Sequence, residues 1–281
     1  MILVTGATGS IGQYLVRHLT TAGAPFKALV RDETKGHALG CDYVVGDFDQ
    51  PATLRAALTG VDRLFLNSPA NPAMVRQQQA AIDAAVAASV AHIVRVSAPE
   101  ASPHATLSMG RWHGEIDAHL TASGVGWSLL QPSYFMQNFL NNAATITSDG
   151  KIFGAFKDGR VAFIDCDDIA ACGATLLMGS DPRQAAFMLT GPEALTFAEV
   201  AQTFSTRLGK TVTYVDLPVA QVVASMAARG MPAPLADDLG TIMAAMAAST
   251  GTKTTTAVED LTGRAPRTLD AFVAANVGAF R

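Results

Sequence analysis

Charge is scarce in this sequence: Asp, Glu, Lys and Arg together make up 16% of its 281 residues, and the formal net charge is −4. There is no basic excess from which to build the Lys/Arg stripe that a nucleic acid needs, so nucleic acid is set aside as a partner. Cysteine is almost absent. Cys41, Cys166 and Cys172 are odd in number and show no CxxC spacing, which argues against a disulfide framework or a zinc site and fits a reducing compartment. No metal site is expected. Long hydrophobic runs are missing too: the one worth testing, around Leu239 to Ser249, falls short of the ~20 residues that span a bilayer. It reads as a buried or pocket-lining Ala/Met helix, and no membrane partner is expected. The chain opens directly on Met1-Ile2-Leu3-Val4, without a basic leader or cleavage site, so a cytoplasmic location is expected.

What is present is apolar. Hydrophobic residues account for 49% of the chain, enough for a large core. Short apolar runs at Ile2–Val4, Phe26–Val30, Tyr43–Val45, Arg63–Leu66, Ile93–Val96 and Trp127–Leu130 read as strands. Helical patterns fall between most of them, at Ser10 to Thr21, Ala52 to Leu58, Met74 to Ser89 and Trp112 to Ala122. That alternation predicts an α/β fold, a doubly wound parallel sheet buried on both faces. Residues 1–132 are expected to form this Rossmann-type domain, with later strands free to return to it. Residues 133–281 are expected to form a smaller α/β region. There, Lys151 to Ile164 reads as two strands about a turn at Lys157 to Arg160, a helix begins at Asp168, and Thr196 and Glu199 have capping-box spacing. Further strands are read at Ala186–Leu189 and Val212–Val215.

The first strand ends in Gly6-Ala7-Thr8-Gly9-Ser10-Ile11-Gly12 and runs straight into a helix. In that context one glycine permits the tight turn, a second lets the backbone approach a pyrophosphate, and a third lets helix and strand pack closely. Backbone N–H groups and the positive helix end then face the phosphates. Gly6, Thr8, Gly9, Ser10, Ile11 and Gly12 are therefore candidate dinucleotide contacts, with a purely structural turn as the alternative. Arg31 follows the second strand, where a guanidinium suits a 2′-phosphate, so NADP(H) is preferred to NAD(H); the neighbouring Asp32 argues the other way. Asp47 and Phe48 are candidates to border the adenine, and Asn67 and Ser68 to line the nicotinamide ribose. Ordinary turn chemistry is the alternative for each of the four.

As a set, the glycine loop, Arg31, Gly46-Asp47, the stretch from Ser123 to Asn138 and the segment Phe163 to Ala170 resemble the NmrA-like family of atypical short-chain dehydrogenase/reductases. The resemblance runs to about residue 215. It implies an NADP-binding Rossmann domain with a smaller C-terminal substrate domain. It also implies one of two activities: reduction of quinones, dyes or related apolar compounds, or redox sensing without catalysis.

Ordinary short-chain dehydrogenases protonate the substrate oxygen with a Tyr-x-x-x-Lys pair, which none of Tyr14, Tyr43, Tyr134 or Tyr214 supplies. By the resemblance, His113 stands where the quinone-reductase branch has a histidine. A histidine with a pKa near 6.5 donates a proton or a hydrogen bond to a developing oxyanion; the alternative is a solvated surface histidine. Ser97 is the candidate substrate-orienting hydroxyl. Tyr134, Phe135 and Phe139 are candidates to contact a flat apolar substrate, with buried core as the competing reading. The partner expected is thus a small apolar molecule; a homodimer is left open.

Overall fold

The computed structural model describes residues 1–180, 183–249 and 253–281. The chain divides into two compact units. The first comprises Met1–Pro132, Cys166–Leu189 and Asp260–Gly263; the second comprises Ser133–Asp165, Thr190–Glu259 and Arg264–Arg281.

The first unit begins with β1 (Ile2–Val4), α1 (Gly12–Thr21), β2 (Phe26–Val30), α2 (Glu33–Leu39), β3 (Tyr43–Val45) and α3 (Pro51–Ala57). It continues with β4 (Arg63–Leu66), α4 (Met74–Ala87), β5 (His92–Val96), α5 (Ser108–Ala122) and β6 (Gly126–Pro132). After the second unit's α6 (Ala143–Asp149) and β7 (Lys151–Gly154), the chain returns with α7 (Cys166–Met178) and β8 (Ala185–Leu189). Seven strands pair in the order β3-β2-β1-β4-β5-β6-β8, all parallel. The strand order reverses between β1 and β4, the switch point beside which ligands of such sheets bind. All five residues of β5 are buried, as is nearly all of α7. Gly173 lets α7 lie directly on the sheet, since a Cβ there would stand 3.0 Å from the Phe65 ring.

One helix of the first unit escapes the sequence reading. α2 is only seven residues long and carries one buried residue, Gly36, so it has no apolar stripe to detect. It is started by Asp32, whose carboxylate accepts from Lys35 N–H at 2.9 Å, and closed by Gly40 at φ +64°. Gly36 packs on Tyr43, where any Cβ would sit 2.5 Å from the ring.

The second unit is built from α6, β7, α8 (Phe197–Leu208), β9 (Thr213–Asp216), α9 (Val219–Ala228), α10 (Ala233–Ala248) and α12 (Leu269–Ala275), with α11 (Ala257–Thr262) straddling the boundary. β7 and β9 form a two-stranded parallel sheet. The Thr196–Glu199 capping box forms in both directions at the start of α8. The second strand expected before Ile164 does not form. The chain turns through Lys157 at φ +47°, and afterwards Val161 bridges only to Leu195 and Ile164 only to Phe135. Two single bridges on different partners make no ladder. The core here is aromatic: Phe139, Phe156, Phe163, Phe197 and Phe204 interlock, with Phe156 and Phe197 stacked at 4.1 Å. The run tested as a membrane span lies within α10. No helix among the described residues is long and apolar enough to cross a membrane.

α7 is tied to α1 by Asp167, which accepts from His18 Nε2 at 2.8 Å and Arg17 at 2.9 Å. The bond from His18, helped by the Arg17 charge and opposed by burial, holds this carboxyl at about 2. The folded pKa lies below the unfolded value of ~3.9, so the stabilisation is present above pH ~4 and is lost as pH falls toward 2. Asp167→Asn should therefore lower the stability measured by urea unfolding at pH 7 by roughly 1–2 kcal/mol, with the difference closing in acid.

Candidate functional site

The loop after β1 and the ends of β4 and β5 all open at the carboxyl edge of the sheet. Thr5 ties the first two together: its hydroxyl lies 3.0 Å from Phe65 O and 2.9 Å from Asn67 O, and it accepts from Asn67 N–H at 2.9 Å. Gly6 takes φ +65°, and a Cβ on it would stand 2.8 Å from Asn67 O. At Gly12 a Cβ would meet Gly6 O at 2.1 Å, which fixes the close approach of α1 to the loop. Gly9 differs: its Cβ would meet only Gly6 O, at 3.3 Å. Thr8, Gly9 and Ser10 are exposed. α1 has no side-chain cap and no acidic residue in its first turn, so its positive end is left to the loop and whatever binds there. Ile11 is core, with 3% of its surface exposed, so only its backbone could face a phosphate. The loop thus has two glycines that the fold requires and one that it does not, which fits a bound pyrophosphate.

Arg31 is exposed at the end of β2, with no acceptor for its guanidinium among the described residues. Its neighbour Asp32 is occupied as the α2 cap, which weakens the case for Asp32 as a ribose ligand. Asp47 is half-buried in turn geometry: Oδ1 accepts from Asp49 N–H at 2.9 Å, and its own N–H reaches Thr53 Oγ1 at 3.0 Å. Phe48 rests partly buried against the first unit's core. Asn67 and Ser68 are half-exposed at the end of β4.

A buried polar cluster that sequence reasoning missed links the β4 end to α5. Its centre is Arg95, on β5, with no exposed surface. Arg95 Nε donates to Gln78 Oε1 at 2.8 Å, Nη1 to Asp117 Oδ1, and Nη2 to His113 Nδ1 at 3.1 Å. Gln78, on α4, donates from Nε2 to Ser68 Oγ at 2.8 Å. Asp117 also accepts from Ser97 Oγ at 2.5 Å.

This geometry changes two expectations. Ser97 is buried, and its hydroxyl hydrogen is committed to Asp117, so it is not presented to a substrate; it helps hold the carboxylate that neutralises Arg95. His113 is half-buried, and burial, reinforced by the Arg95 charge, takes its pKa down to about 3. It is therefore neither a solvated surface histidine nor an acid poised near 6.5. Burial pushes the Asp117 carboxyl up, opposed by Arg95.

The substrate candidates are corrected as well. Phe139 is 1% exposed within the second unit's aromatic core. Tyr134 packs edge-on against Phe156 and Phe163 at 5.7 Å, with burial pushing its hydroxyl up to about 12. Phe139 serves packing, the competing reading at the outset, while Tyr134 lies only partly buried against that core. Phe135 remains half-exposed.

Fold and site together define a dinucleotide-binding, doubly wound protein with a buried cation beneath its sheet edge. The chain belongs to the NmrA-like family, whose model matches residues 1–273. It is 39% identical to an NAD(P)H azoreductase of Xenophilus azovorans over all of this chain and 99% of the relative. Quinone oxidoreductase 2 of Escherichia coli is 31% identical over 85% of each chain. Among solved structures, an E. coli NADPH-dependent quinone oxidoreductase complexed with NADPH superposes with a TM-score of 0.87 at 29% identity, covering 99% of this chain and 100% of that one.

The two kinds of glycine separate experimentally. Gly12→Ala should destabilise the fold by about 1–3 kcal/mol through backbone overlap, read as a lower Tm. Gly9→Ala should lower Tm much less than Gly12→Ala, since only Gly6 O has to give way slightly, yet weaken dinucleotide binding in a fluorescence titration.

Proposed function

We propose that this chain is an NADPH-dependent reductase of quinone-like or other conjugated apolar small molecules, acting in the cytoplasm. The observation that carries the reading is the glycine cradle at the β1/β4 switch point, where Gly6 and Gly12 leave no room for a Cβ and a Cβ on Gly9 would meet only Gly6 O, at 3.3 Å. Full-length similarity to a named azoreductase supports it.

The bound reduced nicotinamide supplies a hydride. The chain's own part is to hold and orient. Backbone N–H groups of Thr8, Ser10, Ile11 and Gly12 would receive the pyrophosphate, with Gly6 making the turn beneath it and Gly9, whose own N–H closes that turn on Gly6 O at 3.0 Å, letting the backbone come close. Arg31 would pair with the 2′-phosphate, selecting NADPH over NADH. Asp47 and Phe48 would border the adenine, and Asn67 and Ser68 the nicotinamide ribose. His113 would hydrogen-bond the acceptor's oxygen as negative charge develops on it, a role open to a neutral imidazole. Ser97 would act only through Asp117, and Tyr134 and Phe135 are the remaining candidates for contact with the apolar body of the substrate.

The test is oxidation of NADPH, with NADH in parallel, across a panel of quinones, azo dyes and enones. Turnover that collapses in His113→Ala with NADPH affinity retained is expected. Tight NADPH binding with no turnover on any acceptor would overturn the reductase reading in favour of a sensor. Arg31→Ala should weaken NADPH binding roughly 10- to 100-fold, the loss of a charged hydrogen-bonding partner, and leave NADH binding unchanged.

A further inference from the structure

Arg95 is a wholly buried cation in the middle of an apolar strand, which is a costly placement unless every N–H it points inward finds an acceptor. A guanidinium can only donate and does not lose its proton in a protein. The direction of each hydrogen bond around it is therefore fixed by chemistry.

At one end, Arg95 Nη2 faces His113 Nδ1 at 3.1 Å. Nδ1 must accept, so a neutral imidazole carries its hydrogen on Nε2. At the other end, Arg95 Nε faces the Gln78 amide at 2.8 Å. That side of the amide must be the oxygen, which leaves its NH2 to donate onward to Ser68 Oγ at 2.8 Å. A serine oxygen that accepts there keeps its own O–H to donate elsewhere. Asp117 bonds Arg95 and Ser97 and balances the charge.

We infer that Arg95 is a positioning residue that locks two side chains as outward hydrogen-bond donors, His113 through Nε2–H and Ser68 through its hydroxyl. The substrate class follows from the His113 end: a fixed neutral donor suits an acceptor oxygen that gains negative charge, such as a quinone or enone carbonyl, and does not suit a substrate that must itself donate, while the Ser68 hydroxyl is left to donate to the nicotinamide ribose. A mobile acid that hands over its own proton is not what the geometry builds. The groups facing His113 are Arg95 and, behind it, Asp117; Glu115 is exposed on another face of α5. The inference rests on the reductase reading only for its substrate, because the lock itself is a property of the protein alone.

The test is nitrogen-15 NMR of the histidine side chains, in the protein with and without NADPH, together with kcat and KM on any accepted quinone. In the wild type, His113 should show the Nε2–H tautomer and no titration between pH 5 and 8. Removing Arg95 alone leaves Asp117 as a buried unpaired carboxylate and endangers folding, so the variant of choice is Arg95→Met with Asp117→Leu. In it His113 should show the Nδ1–H form as well and titrate closer to 6.5, with kcat down roughly 10²-fold. Gln78→Leu should leave the His113 tautomer as it is while raising KM for NADPH, because it frees only the Ser68 end. A wild-type His113 that titrates near 6.5, or one whose tautomer is the same in the folded double variant, would overturn the lock. A locked His113 in a protein that turns over no acceptor would meet the expectation for the lock and contradict the reductase reading instead.

Discussion

A buried guanidinium with nowhere to lose its proton sets the terms for the rest of the site. Arg95 lies in the strand that pairs with β4 on one side and β6 on the other, and its side chain is fully buried against partners on α4 and α5. Asp117, Gln78 and His113 must present acceptors to it, and the elements that carry them, α4 and α5, are held against each other on the same face. Such a cluster is poor value as a source of stability, since apolar residues of the same volume pack as well. Its worth lies in direction: one cation orders hydrogen bonds from the end of β4 to the face of α5.

This arrangement offers a physical account of how the chain can work without the Tyr-x-x-x-Lys pair. A histidine held neutral by burial, reinforced by a neighbouring cation, cannot deliver an imidazolium proton at pH 7. It can still stabilise an oxyanion, because a fixed N–H dipole at a partly buried site needs no reorganisation when charge develops. An acceptor that spreads its negative charge, as a conjugated carbonyl does, needs no more than this from the protein.

The doubly wound sheet was legible because parallel strands buried on both faces read as continuous apolar runs, and Ile2–Val4 through Trp127–Leu130 do so. The glycine loop was legible because its spacing states a steric requirement, visible at Gly6 and Gly12 as missing room for a Cβ. α2 was not, since a short helix held by Asp32 and Gly40 has no periodic stripe to find. Nor was Phe139, because aromatic clustering looks the same in a core and in a substrate pocket. Arg95 hid in plain view. A charged residue inside Ile93-Val94-Arg95-Val96 could have been flagged as needing partners, and Asp117, four residues after His113 on one helix face, was a readable answer. Gln78 carried no such signal, since its tie to Arg95 and Ser68 exists only once α4 lies against β4 and β5.

Hydride transfer from NADPH to a conjugated acceptor is the activity proposed for this chain. It is tested most directly by a single-turnover experiment in which protein carrying NADPH is mixed rapidly with a quinone, using ordinary nicotinamide and nicotinamide deuterated at the transferable position. The account predicts loss of the reduced-nicotinamide absorbance only when acceptor is present, and a slower decay with deuterium. Bound NADPH that stays reduced in the presence of every acceptor, or decay that proceeds without any acceptor, would contradict it.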